Sequence, residues 1–166
     1  NVRSEKARYL TTQAKDDQEK FIHNEVGYNY RMSNVQAAIG CAQLERLEQR
    51  VKGKKKIHQM YELKLQEQEN FDIHKPSEVT NSNYWLMILK INNSFITSFD
   101  LMDKLKTQNI ESRPIWQLNH LQNPYKACQT YNIENSYELL NSSLCIPSSP
   151  DLDEEDVMRV VGALNE

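Results

Sequence analysis

The stretch Gly27-Tyr28-Asn29-Tyr30-Arg31-Met32-Ser33-Asn34, running on into Val35-Gln36-Ala37-Ala38-Ile39-Gly40, is the most informative part of this 166-residue chain. Aromatic, amide and guanidinium side chains crowd the last residues before an apolar-periodic helix. Ser33 stands where an N-cap belongs, and Gln36 three residues on completes a capping-box pattern. A helix N-terminus leaves free N–H groups and the positive end of the helix dipole, which suit an anion such as phosphate. The polar groups are therefore expected on a turn held by that helix. The same residues also fit a plainer arrangement, a cap leading into a core helix with Tyr28 and Tyr30 packed beneath it.

Downstream of Ser33 the apolar spacing of three and four persists through Val35, Ala38, Ala42, Leu44, Leu47 and Val51, then Ile57, Met60, Tyr61 and Leu65. This predicts one long helix or two consecutive ones, with a bend near Gly53. Upstream, Ser4 to Gln13 reads as a helix and Ala14 to Glu19 as a polar loop. Beyond Pro76, Tyr84 to Ile91 reads as a buried strand, Thr97 to Gln108 as a capped helix, and Ile110 to Ile115 as a strand whose Pro114 marks an edge or an end. A short helix at Tyr137 to Leu140, a strand at Leu144 to Pro147 and an amphipathic helix at Glu154 to Leu164 close the chain. The order predicts a small α/β domain: a long helix plus a few-stranded sheet covered by helices.

Composition narrows the classes. The mean hydropathy of -0.75 points to a thin core, or to a piece whose apolar face meets another domain. A net charge of -3 offers nothing that would draw nucleic acid or an anionic membrane. The run Lys52-Gly53-Lys54-Lys55-Lys56 is flanked by Glu45, Glu48 and Glu62 and lacks interleaved aromatic residues, so it reads as a solvated helix face. No apolar run is long enough to span a bilayer, and the first residues show neither an initiator Met nor a signal-peptide core, as in the middle of a protein. Cys41, Cys128 and Cys145 are odd in number and scattered, which fits a reducing, cytoplasmic setting, with Cys41 and Cys145 as small buried hydrophobes. His23, His58, His74 and His120 have no metal-ligand spacing.

The Gly27–Gly40 block resembles the signature of the DegT/DnrJ/EryC1/StrS family of PLP-dependent nucleotide-sugar aminotransferases. Further blocks resemble the family in the right order: Glu5 to Leu10 with Thr12-Gln13-Ala14, Ala42 to Leu47, Glu111-Ser112-Arg113-Pro114-Ile115-Trp116 with His120-Leu121-Gln122, and Cys145 to Ser148 with Asp153 to Asp156. The likeness covers the C-terminal part of a family member. It implies the C-terminal small domain of the fold-type-I aminotransferase plan, residues 33–166, entered by a segment carried over from the large domain, residues 1–32. It also implies a homodimer with active sites at the subunit interface. By this match Asn29 is expected to reach toward the PLP phosphate of the partner subunit, and Arg31 to orient cofactor or substrate phosphate. Tyr28 would shape the pocket wall, and Arg113, Trp116 and His120 would face the sugar nucleotide, although His120 also reads as an ordinary loop histidine. Gln117-Leu118 stands where family members often carry Lys-Pro.

The family's chemistry needs a lysine to hold PLP covalently and shuttle a proton, and a carboxylate against the pyridine nitrogen. Both belong to the family's N-terminal domain. No lysine here has the Gly- and Ser-rich setting of that residue, and Lys6, Lys15 and Lys20 stand in polar contexts. No catalytic residue is therefore assigned, and the chain alone is expected neither to bind PLP nor to transaminate. The resemblance implies part of an enzyme that transfers an amino group, from glutamate, to a nucleotide-linked 4-keto-6-deoxy sugar for surface polysaccharide or glycan synthesis. Its partners would be a second copy or a lysine-bearing N-terminal half. A non-catalytic remnant with a dimerising or sugar-nucleotide-binding surface fits the same residues, as does a sugar dehydratase relative whose distinguishing position lies outside the chain.

Overall fold

The computed structural model describes residues 1–17, 19, 22–92 and 95–165, which divide into two compact units, Asn1–Leu47 and Glu48–Glu166. In the first unit, α1 (Val2–Thr11) is capped by Asn1, whose side chain accepts from the Arg3 N–H. The chain then turns through Gln13 and Ala14, both left-handed at φ 71° and 49°. The expected loop after it contains β1 (Lys15–Asp17), which pairs antiparallel with β2 (Ile22–His23). Asp16 fastens this hairpin, accepting from the Asn24 N–H at 2.8 Å and the Tyr9 hydroxyl at 2.9 Å, and these bonds hold its carboxyl below the usual range.

The second helix, α2 (Asn34–Glu45), starts as its sequence dictates. Ser33 Oγ accepts from the Gln36 N–H, and Gln36 Oε1 accepts from the Ser33 N–H. None of its residues is buried, and Val35, Ile39 and Leu44 face outward. Cys41 is exposed rather than buried, as are most residues of this helix. Tyr28 and Tyr30 are exposed too, stacked on one another at 5.4 Å instead of packed under the helix.

The helical pattern breaks at Arg46, whose N–H turns back to the Gln43 carbonyl, and not at Gly53. Gly53 lies inside α3 (Leu47–Leu65), where a Cβ would stand 3.0 Å from Pro150 Cβ and 3.1 Å from its carbonyl oxygen. The residue is small because another segment presses on the helix there.

The second unit is built on a four-stranded antiparallel sheet in the order β3 (Phe71–Ile73), β4 (Met87–Ile91), β6 (Ser143–Ile146), β5 (Arg113–Pro114). Leu89 pairs with Ile73 on one side and Leu144 on the other, and Met87 with Ile146, so these apolar side chains share one face. That face is covered by Ile57, Tyr61 and Leu65 of α3, Leu101 and Leu105 of α4 (Ser98–Thr107), and Val157, Val160, Val161 and Leu164 of α6 (Glu154–Asn165). Burying each such side chain contributes roughly 1.5–3 kcal/mol.

Polar bonds tie helix ends together. Thr97 and Asp100 form a capping box on α4, Arg159 donates to the Gln108 carbonyl at 2.6 Å, and Lys104 donates to the Leu164 carbonyl at 3.0 Å. The remaining helix, α5 (Glu134–Asn141), is longer than its four-residue sequence signal.

Two expected strands are shorter than read. β4 begins only at Met87, because Tyr84 adopts a left-handed φ of 52° that no strand accommodates. β5 is reduced to two residues at the sheet edge, where Pro114 lacks the N–H to extend the ladder. Cys145 on β6 is half-buried, and that burial raises its thiol pKa.

Candidate functional site

In the first unit, Gly27 enters the site as a close contact. A Cβ on it would stand 2.3 Å from both the Ala14 nitrogen and the Gln13 carbonyl carbon. The following residues can therefore hydrogen-bond to the end of α1: Tyr28 N–H to the Leu10 carbonyl, Gln13 N–H to the Tyr28 carbonyl, and Tyr30 N–H to the Thr11 carbonyl, at 2.7 to 3.0 Å. Asn29 is bridged to Thr12 in the same way. Between this pinned backbone and the Ser33 cap, Asn29, Tyr30, Arg31, Met32 and Gln36 line an open recess of about 490 Å³. Asn29 and Arg31 are exposed, and among the described residues Arg31 forms no ion pair. The structure thus brings Asn29, Arg31 and the Tyr28–Tyr30 stack onto one short segment.

In the second unit the expected substrate residues each have a separate partner. Arg113 donates from Nη2 and Nε to Glu111 Oε1, at 2.7 and 3.1 Å, and this pairing raises its pKa further. Glu111 takes one edge of its guanidinium fork, and among the described residues the other edge has no hydrogen bond and can meet an oxyanion. Trp116 meets Trp85 with ring centroids 5.6 Å apart. His120 is half-buried in a short 3-10 turn, its Nε2 2.8 Å from the Tyr137 hydroxyl and its ring edge-on to that tyrosine. Arg113 also lines a recess of about 340 Å³ with Leu86, Glu111, Cys145, Ser148 and Leu152.

These blocks stand where one family's signatures do, and that family's sequence pattern matches residues 2–165. The chain belongs to the DegT/DnrJ/EryC1/StrS aminotransferase family. EpsN of Bacillus subtilis is 32% identical over 164 residues, covering 96% of this chain and 42% of that protein. The GDP-perosamine synthase of Caulobacter vibrioides is also 32% identical, covering 97% of this chain and 44% of its own length. Among solved structures, the aminotransferase TlmJ of Streptoalloteichus hindustanus superposes with a TM-score of 0.77 at 21% identity, covering 96% of this chain and 43% of TlmJ. Helicobacter pylori PseC, an aminotransferase of pseudoaminic acid biosynthesis, gives 0.78 at 16% identity, covering 97% of this chain and 44% of PseC. These likenesses show the fold of the family's C-terminal part. The 166 residues span less than half the length of the relatives they match.

Members of this family are PLP-dependent aminotransferases. An exposed amide beside an exposed guanidinium, at the mouth of a capped helix, fits the phosphate end of PLP. Its aldehyde end calls for a free lysine. Lys6 is engaged in an ion pair with Glu25, Lys15 lies in the β1 hairpin, and Lys20 lies outside the described residues.

Trp85 meets Trp116, Tyr137 meets His120, and Lys54 bonds the Trp85 carbonyl in turn. In sequence Trp85 reads as part of a strand, Lys54 as part of a solvated run and Tyr137 as part of a short helix. Lys54 is half-buried, donating to the Trp85 carbonyl and Ser148 Oγ at 3.1 Å each. Only the spatial pairing singles these residues out; no local pattern does.

Proposed function

We propose that these residues form the C-terminal part of a PLP-dependent aminotransferase that moves an amino group, from glutamate, to the keto carbon of a nucleotide-linked 4-keto-6-deoxy sugar for surface polysaccharide or glycan synthesis. Residues 1–32 would continue the large domain and residues 33–166 would form the small one. The observation that carries this reading is the pinned Gly27–Ser33 segment, which presents Asn29 and an exposed Arg31 at a capped helix start within a family-wide match. Relatives named GDP-perosamine synthase and dTDP-4-amino-4,6-dideoxy-D-glucose transaminase support the substrate class.

Each residue then has a task. Asn29 donates its amide N–H to a phosphate oxygen of PLP bound to the partner subunit, adding no charge of its own. Arg31 supplies a two-pronged cation for the same phosphate or for that of the substrate. Tyr28 walls the pocket. Arg113 offers its other guanidinium edge to the sugar nucleotide, with Trp116 and His120 lining that side. PLP, when bound, provides the electron sink for amino transfer. The lysine that moves the proton is supplied from outside these residues, and the exposed apolar residues of α2 provide surface for a second copy.

The 166-residue chain mixed with PLP and treated with borohydride is expected to show no trapped cofactor and no visible absorbance band. A stable, trappable band would overturn the assignment of the lysine to another segment.

A further inference from the structure

The chain has two tryptophans, and they touch each other. Trp85 lies just before β4 and Trp116 just after β5, their rings 5.6 Å apart and inclined at 45°. Both indoles remain open to solvent, at 62% and 65%.

The backbone beneath Trp85 is nevertheless held from several directions. Its N–H donates to Asn83 Oδ1 at 3.1 Å, and its carbonyl accepts from Lys54 Nζ at 3.1 Å and Ser148 Oγ at 3.2 Å. Tyr84, just before it, is kept in the left-handed region, with its ring 4.9 Å from that of the buried His58. Such a conformation persists in a bulky residue only where its surroundings enforce it. Gly53 completes the arrangement, since its missing Cβ lets Pro150 approach α3 beside the contact of Lys54 with Ser148. Among the described residues Lys54 pairs with no carboxylate, although its partial burial disfavours the charge. Its bonds serve the Trp85 carbonyl and the hydroxyl beside it.

An exposed indole on so constrained a backbone is a preorganised surface. It adjoins the recess of Leu86, Arg113 and Ser148, in which the Arg113 guanidinium is paired with the Glu111 carboxylate. The two rings offer flat π faces, each with one N–H donor at its edge, and such faces suit stacking by a planar heteroaromatic ring.

We propose that Trp85 and Trp116 form an indole ledge that stacks the base of a nucleoside diphosphate, with Lys54 as the positioning residue that holds Trp85 in place. This rests on the nucleotide-sugar reading above and adds Trp85 and Lys54 to it.

Because these are the only tryptophans, emission excited at the red edge of the indole band, where the eight tyrosines absorb little, reports on this ledge. Titration of the 166-residue chain with GDP or dTDP is expected to quench that emission saturably, while inorganic pyrophosphate leaves it unchanged. Trp85→Leu is expected to weaken nucleotide binding about 10-fold, the scale of one lost stacking partner. Lys54→Met is expected to shift the emission maximum and weaken binding, and Lys54→Arg to restore both. Emission unmoved by nucleotide, an equal response to pyrophosphate, or full affinity in Trp85→Leu would each overturn the ledge. Quenching by nucleotide in a chain that never supports amino transfer upholds the ledge and overturns the wider reading. Amino transfer with unmoved indoles does the reverse.

Discussion

Gly27 lies so close to Ala14 that a Cβ on the glycine would stand 2.3 Å from the alanine nitrogen. That contact lets Tyr28 and Tyr30 bond to the end of α1, and it sets the direction in which Asn29 and Arg31 leave the backbone. A family signature usually read as a string of polar side chains thus begins with a residue that has none.

Gly27→Ala is expected to cost on the order of 1–3 kcal/mol, the usual range for overpacking, because the atoms it meets first are backbone and cannot rotate away. Amide hydrogen exchange checks this. Protection should fall at the N–H groups of Gln13, Tyr28 and Tyr30, which make the bonds that depend on the contact.

Asn29→Asp and Arg31→Met act on the phosphate rather than on the fold, since both side chains are exposed. In an assembled enzyme that binds PLP, each is expected to raise the PLP dissociation constant roughly 10- to 100-fold, the scale of a lost charge-assisted hydrogen bond. Asp at position 29 should be the worse of the two by repelling the phosphate. Equilibrium dialysis with PLP measures it, and unchanged affinity in both variants would remove these residues from the cofactor site.

Tyr61 is fully buried and donates its hydroxyl to the Pro147 carbonyl at 3.1 Å, joining α3 to the segment after β6. Burial, first, and the charge of Asp156, second, raise its pKa. Below the ordinary tyrosine value of about 10 the group is protonated in both folded and unfolded chains, so its contribution is constant. As pH rises beyond that value the unfolded chain ionises first, and stability falls by up to about 1.4 kcal/mol per pH unit from this group. Urea unfolding across alkaline pH should show the decline, and Tyr61→Phe should flatten it at a cost of about 1 kcal/mol at neutral pH.

The parts of the fold legible in sequence are those with local chemistry. The Ser33–Gln36 and Thr97 caps form because hydroxyl, spacing and orphan N–H groups are all set within four residues. The apolar stripe of Ile57, Tyr61 and Leu65 is buried for the same reason. The three residues of β3, by contrast, carry too short an alternation to stand out, and β1 is written in charged residues whose pairing depends on Asp16 capturing Asn24 and Tyr9. The break at Arg46 was hidden because the apolar spacing runs straight through it, while Gly53 drew attention for a cause that lies in Pro150.

The candidate site divides in the same way. Asn29, Arg31, Arg113, Trp116 and His120 stand in contiguous motifs and could be named from them. Glu111 on Arg113, Tyr137 on His120, and Lys54 with Trp85 are pairings made by tertiary structure. Cys41 shows the converse, since its place in an apolar helix pattern predicts burial while α2 buries none of its residues.

The most direct test is an amino-transfer assay with glutamate and a nucleotide-linked 4-keto-6-deoxy sugar. It should be run on the 166-residue chain alone and again on the chain together with a lysine-bearing N-terminal segment of its family. The expected result is no product from the chain alone and PLP-dependent product from the combination, abolished by Asn29→Asp with Arg31→Met. Product from the chain alone would contradict the assignment of the lysine to another segment, and full activity in the combination carrying both substitutions would contradict the role assigned to the Gly27–Ser33 segment.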